Sequence, residues 1–183
     1  MKEPLILASQ SPRRKQLLEL AEIHFEVIVK ETEESFPPGL PIEEVPMYIA
    51  RQKASIIQQE YPSRKILAAD TIVVLDHEII GKPKDRKDAI QILEKLSGKT
   101  HRVITGVVLL EGNQEHSFSD STAVCFKELT QTQIEYYVDT FKPFDKAGAY
   151  AIQEWIGAIA IESIHGCFYN VMGLPISKVI PIL

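Results

Sequence analysis

Cysteine is nearly missing from this sequence. Two occur in 183 residues, Cys125 and Cys167, far apart and without CxxC spacing. That usage argues against a disulfide framework and a cysteine-built zinc site, and it points to a reducing compartment, so a cytoplasmic location is expected. Both thiols read as ordinary core or near-surface side chains. The five histidines form no HxxxH or HExxH pattern, and neither a P-loop nor a GxGxxG fingerprint occurs, so kinase-like and dinucleotide-binding readings lack support. Positive charge is not in surplus either. The formal net charge is −5 with acidic and basic residues interspersed, and without a basic tail or patch no polynucleotide partner is expected. Long apolar runs are also lacking. The opening MKEPLILASQSPRRK holds five consecutive apolar or small residues before polar ones resume, too few for a signal-peptide core or a membrane span. No membrane partner is expected.

What is present suits a folded enzyme-sized domain. With 45% hydrophobic residues the chain can bury one substantial core, so a single α/β domain over residues 1–183 is the default, and two small lobes flanking a cleft would also fit. LILAS (5–9) reads as a strand, a helix begins near Ser11, and FEVIV (25–29) reads as a second strand. PPGLP (37–41) is a loop, and residues 43–60 have helical periodicity. KILAADTIVVLD (65–76) is almost wholly apolar and β-branched, as a strand buried on both faces is, and is the expected spine of the sheet. DRKDAIQILEKLSGK (85–99) is an amphipathic helix stopped by Gly98. Residues 102–126 read as a long hairpin turning at Gly112 and Asn113. LTQTQIEYYVDTF (129–141) is a helix capped by Thr130 or Thr132, AYAIQ and AIAIESI are read as a further strand pair, and GLPISKVIPIL as a short helix or extended tail. Strands alternating with helices, with hairpins among them, predict an α/β fold with a mixed twisted sheet and helices on its faces.

Three places break the pattern. Ser11 reads as a cap and Pro12 as the first helical residue, yet Arg13, Arg14 and Lys15 follow. Cations against the positive end of a helix dipole cost roughly 0.3–1 kcal/mol each, so these are unfavourable unless an anion neutralises them. Backbone N–H groups, serine hydroxyls and two guanidiniums at a helix start make a polyphosphate cradle; a solvated basic turn is the plainer alternative. Lys53 falls on the apolar stripe of its helix, where its stem either snorkels to solvent or carries its ammonium into a cleft. Asp70 sits in ILAADTIVVL with only Thr71 as a polar neighbour. A buried carboxylate requires a partner, here Lys53, Lys82 or a divalent metal, or else a place at a strand end. A carboxylate in a cleft is a candidate general base or metal ligand; a structural role at a bulge is the alternative.

Weaker signals surround these. Glu33 and Glu34 in KETEES would ligate Mg²⁺ or form an ordinary solvated acidic run. Lys82 lies in the stiff turn GKPKD, and Gln153 ends the small-residue segment KAGAYAIQ, where a side-chain amide can read the edge of a base.

Taken together, SQSPRR, the glutamate pair at 33–34, QKA around Lys53, AADT, GKP, TGV at 105–107, KAGAYAIQ and NVMGLP resemble the Maf family in order and spacing along nearly the whole chain. The resemblance implies two lobes around a cleft, related to the inosine triphosphate pyrophosphatase fold. It implies hydrolysis of nucleoside triphosphates to monophosphate and pyrophosphate with a divalent cation, Mg²⁺ or Mn²⁺, and a link to septum formation and the removal of non-standard nucleotides. A homodimer is consistent with it. On this reading Asp70 is assigned as the general base, Arg13, Arg14, Lys53 and Lys82 to the phosphates, Ser9 and Ser11 to supporting hydrogen bonds, and Glu33 or Glu34, together with Asp70, to the metal. Gln153, with Arg13 and Thr71, looks like the specificity set of the dTTP/UTP subgroup rather than of the 7-methyl-GTP subgroup. The chain departs from the family in one place: glycine usually follows that glutamine, and here Glu154 and Trp155 stand instead. Two rival readings are a pyrophosphatase for a modified nucleotide and a non-catalytic nucleotide-binding regulator of division.

Overall fold

The computed structural model describes residues 3–183. The chain divides into two compact units, the first built from residues up to Thr71, 105–120 and 173–183, the second from 72–104 and 121–172.

In the first unit, β1 (Leu5–Leu7) and β2 (Phe25–Val27) run parallel with Leu5 opposite Phe25, and β1 also runs parallel to β3 (Lys65–Leu75) with Ile6 opposite Ile66. Parallel neighbours need a crossover, and the helices α1 (Pro12–Leu20) and α2 (Val45–Gln58) lie on the two connections. The apolar run of β3 is explained by its burial: Ile66, Leu67, Ala68 and Ala69 are all inaccessible to solvent. Against this strand α2 lays Ala50, Ala54 and Ile57, meeting Ile6, Ala8 and Ala68. The alanines matter because they let the helix axis come close to the sheet. Gly106 does the same for the helix start, since a Cβ there would fall 2.1 Å from the Met47 backbone nitrogen. Each fully buried isoleucine or leucine in this contact stabilises it by roughly 1.5–3 kcal/mol.

The long hairpin is as expected. β5 (Thr100–Glu111) and β6 (Gln114–Phe126) are joined through Gly112, at φ +56°, and Asn113. With β4 (Glu78–Ile80) antiparallel on β3 and β7 (Ile161–His165) antiparallel on β6, the hydrogen-bonded order is β2-β1-β3-β5-β6-β7 with β4 off this path. Parallel and antiparallel pairs coexist, so the mixed sheet is observed.

In the second unit, α3 (Arg86–Leu96) is capped by the Asp85 carboxylate, which accepts from the Asp88 N–H at 2.8 Å. α4 (Gln131–Phe141) opens on a capping box between Thr130 and Gln133, which settles the cap on Thr130 rather than Thr132. The two helices pack together, and Arg86 reaches Asp139 through two bonds of 2.6 and 2.9 Å. His101, Phe126 and Tyr150 form an edge-to-face aromatic cluster with ring centroids 4.9 to 5.4 Å apart.

Two expectations are corrected. Of the two strands read from AYAIQ and AIAIESI, the second is formed in part, since Ile161–Ile164 lie in β7, but it pairs with β6; AYAIQ is not a strand, and the two do not pair with each other. Residues 151–154 make a turn, closed by the Glu154 N–H donating to the Ala151 carbonyl at 3.1 Å, and Trp155–Ala160 is a short helix, α5. A brief run of alanines and isoleucines does not distinguish strand from buried helix by periodicity. Packing decides it: a Cβ on Gly157 would collide with the Ile152 carbonyl oxygen, and the part of AIAIESI that is strand takes the edge of β6 as β7 rather than pairing with AYAIQ. The second correction is local. Ser11 stands at the N-cap position of α1, but its hydroxyl makes no capping bond; its own N–H donates to Ser9 Oγ at 3.2 Å. The chain closes on two short helices, α6 (Phe168–Met172) and α7 (Ile176–Val179). Among the described residues no helix is long and apolar enough to cross a membrane.

Candidate active site

The polar side chains that broke the sequence pattern meet inside the first unit. Asp70 lies in the middle of β3, with residues 66–69 before it sealed from solvent. Its Oδ1 accepts from Lys53 Nζ at 2.7 Å. Lys53 reaches it from α2, a helix held flush to the sheet by the alanines and by Gly106, so its ammonium does not snorkel away. The same ammonium contacts Glu34 Oε1 at 2.7 Å. Side chains of Lys53 and Asp70 are 16% and 14% exposed, that of Glu34 46%. One cation therefore bridges two carboxylates, one well sheltered and one at the surface.

Beside this bridge lies a second group built on Arg14, which is buried. Its guanidinium donates through Nε to the Gly173 carbonyl at 2.8 Å, through Nη1 to Ser9 Oγ at 2.9 Å and through Nη2 to Thr71 Oγ1 at 3.0 Å. Thr71 Oγ1 is in turn 2.9 Å from Thr105 Oγ1. Each of these partners is neutral. Burial accordingly pushes the Arg14 guanidinium down from its ordinary value, and the negative charge of Asp70 opposes that shift most, with Arg13 adding to it and Glu34 against it. A buried cation whose hydrogen-bond partners are all neutral keeps its positive field, and that field favours an anion docking beside it. Gly173 contributes through its backbone. Its φ is +111°, a backbone conformation that strains any L side chain, while a Cβ there would only touch Thr71 Oγ1, at 3.4 Å.

Of the residues read from the sequence, Lys53, Asp70 and Glu34 form one contact group and Arg14, Ser9 and Thr71 another, with Ser11 attached through Ser9; the two groups act on one another through charge. Arg13 is half-buried at the start of α1 and acts on the same charges. Glu33 is exposed in the loop. Lys82 and Gln153 belong to the second unit, where Lys82 is exposed in the segment after β4 and Gln153 is exposed at the tip of the 151–154 turn. Thr105 and Gly173 join the site without being candidates from the sequence. Their signals are a hydroxyl inside the apolar run VITGVVLL and a glycine between Met172 and Leu174.

Among the described residues no three His, Cys, Asp or Glu side chains gather closely enough to hold a metal ion. Two carboxylates do converge on one point, and an ammonium stands at that point. Such a pair of hard oxygen donors fits a Mg²⁺-like ion that keeps several waters and takes its remaining oxygens from a phosphate substrate, not from an all-protein cage.

A mixed α/β protein with a strand-borne carboxylate, a bridging lysine and a buried arginine is the class that fold and site define. The chain belongs to the Maf-like protein family, whose pattern it matches over residues 4–183. It is 51% identical over 176 residues to a "dTTP/UTP pyrophosphatase" of Cytophaga hutchinsonii, covering 96% of this chain and 81% of that one. A protein of the same description from Phocaeicola vulgatus is 50% identical over 179 residues, covering 97% and 93%. Among solved structures, the Staphylococcus aureus Ham1 protein aligns over 68% of this chain and 72% of its own at 11% identity, with a TM-score of 0.48.

Proposed function

We propose that this protein is a nucleoside triphosphate pyrophosphatase that hydrolyses dTTP and UTP to the monophosphate and pyrophosphate in the cytoplasm. The observation that carries the reading is the bridge Asp70–Lys53–Glu34 beside the Arg14 group, in a chain about half identical along its length to proteins described as dTTP/UTP pyrophosphatases.

A triphosphate carries about four negative charges, which repel an incoming water until cations screen them. Lys53 supplies a sheltered ammonium and Arg13 a guanidinium at the helix start; Lys82 is assigned to phosphate as well. Once Lys53 turns from the carboxylates to a phosphate oxygen, Asp70 is released to take the proton of the attacking water. Arg14 is spent on holding Ser9 and Thr71 in place, and its charge still favours an anion nearby. Asp70 and Glu34, with Glu33 next in the chain, are the residues that would hold Mg²⁺ or Mn²⁺, and the ion would supply further screening of phosphate charge. Gln153 and Thr71 discriminate the base. Gln153 is exposed in the free protein, so its discrimination depends on the base covering it: an amide covered by the wrong base and left unpaired is then penalised by roughly 1–3 kcal/mol.

The test is pyrophosphate release from a panel of common and modified nucleoside triphosphates, each with Mg²⁺, with Mn²⁺ and with chelator. The expected result is metal-dependent release, fastest with dTTP and UTP. Faster turnover of 7-methyl-GTP or another modified nucleotide would replace the substrate, and recovery of every nucleotide intact would end the enzymatic reading.

A further inference from the structure

Tyr137 is fully buried on α4, yet it is a tyrosine and not a phenylalanine. A buried hydroxyl must find partners, and this one finds them at both ends of a single turn. Tyr137 Oη accepts the Ala151 N–H at 3.2 Å and donates to Glu154 Oε2. Ala151 and Glu154 are the first and last residues of the turn closed by the Glu154 N–H to Ala151 carbonyl bond. One phenol thus grips the turn at its entry and its exit. Glu154 is steadied further by Lys146, itself buried, whose ammonium lies 3.5 Å from Glu154 Oε1. The neighbouring residues repeat the pattern in apolar form, because Trp155 packs edge-to-face on Tyr136 with centroids 5.0 Å apart. Between the gripped ends, Gln153 is exposed at the tip.

We infer that the Tyr137 hydroxyl and the Glu154 carboxylate are positioning groups for nucleobase selection: they hold the Ala151–Glu154 turn in one shape, so that the Gln153 amide is fixed before a nucleotide arrives. The inference rests on the proposed role of Gln153 in reading the base. Neither group touches substrate. Pre-ordering is worth having here because a short exposed turn left mobile would spend binding energy on becoming ordered, and misplacement of a reading group by about 1 Å removes much of its effect. It also gives Glu154, which stands where the family resemblance implies glycine, and its neighbour Trp155 a definite place: both side chains are taken up by α4 instead of projecting beside Gln153.

The experiment compares kcat and KM for dTTP and dCTP in the intact protein and in Tyr137→Phe, Glu154→Ala, Glu154→Gln and Gln153→Ala, with circular dichroism on each. The expected result is a fall of about tenfold in the dTTP-over-dCTP ratio of kcat/KM for Tyr137→Phe and Glu154→Ala, carried by a raised KM for dTTP with kcat retained. Glu154→Gln, which still accepts the phenol proton, keeps the ratio. Amide exchange at Ala151 quickens in Tyr137→Phe. Should Tyr137→Phe not fold, Glu154→Ala and Glu154→Gln decide. If Gln153→Ala lowers the ratio while folded clasp variants leave it unchanged, the inference is overturned and the role of Gln153 stands. If Gln153→Ala itself leaves the ratio unchanged, both are overturned.

Discussion

The two units hold their polar groups by different means. In the first, the important side chains are charged and bound to one another: Lys53 to Asp70 and Glu34, Arg14 to Ser9, Thr71 and the Gly173 carbonyl. In the second, the residue assigned to base reading is an exposed neutral amide on a turn that a buried phenol grips. The contrast has a physical logic. Charges sheltered from water are costly unless they are paired, and the proposed mechanism has these pairs rearrange around an anion. An amide makes weaker, more directional bonds, so its usefulness depends on being held still. Under the proposed function, chemistry in the first unit would be governed by which ion pairs exchange, and selection in the second by how firmly a turn is held.

The largest effect expected from breaking this contrast is at Lys53. Lys53→Met removes the cation shared by Asp70 and Glu34, and turnover should fall by about a hundredfold or more, as loss of one charge-stabilising donor does. The aromatic cluster of the second unit should keep its ring-to-ring contacts by nuclear magnetic resonance. Turnover retained in a folded Lys53→Met would contradict the assignment of the chemistry to the first unit.

A smaller effect, confined to the second unit, concerns acid. His101 Nε2 is bonded to Tyr150 Oη at 2.8 Å while its Nδ1 is buried without a partner, and burial lowers the imidazole to about 4 from the ordinary 6.5. The unfolded chain therefore takes up this proton first as pH falls. The neutral ring's contribution is whole above about pH 6.5 and lost progressively towards pH 4, by roughly 3 kcal/mol. A pH titration of the His101 ring signals should give a midpoint well below 6; a midpoint near 6.5 would contradict its burial as a neutral group. In His101→Phe, this share of the acid sensitivity should disappear from urea unfolding curves.

Much of the first unit is legible in the sequence because its site residues violate burial rules. A carboxylate inside ILAADTIVVL, a lysine on an apolar helical stripe and arginines at a helix start are each improbable unless something pairs with them, and Lys53 with Asp70 is foreseeable on that ground. Glu34 is legible only as half of an acidic pair, since a solvated glutamate and one bound to a sheltered lysine look alike along a chain. Thr105 and Gly173 lie in motifs of the family resemblance but show no role at the site, because a threonine in a strand and a glycine in a loop break no rule. Their importance comes from what lies across the fold. The turn carrying Gln153 reads as a strand for the same reason. Alternating small and apolar residues suit several backbones, and the choice is made by a tyrosine fourteen residues earlier and by the close approach at Gly157.

The most direct measurement is turnover of dTTP by Asp70→Asn, which keeps the shape of the side chain and its bond to Lys53 while removing the ability to take a proton at this position. Pyrophosphate release should fall by about two orders of magnitude or more with the circular dichroism spectrum unchanged. A folded variant that stays within a few-fold of the parent would show that the carboxylate on β3 is not the base, and that the ion pair with Lys53 serves the fold alone.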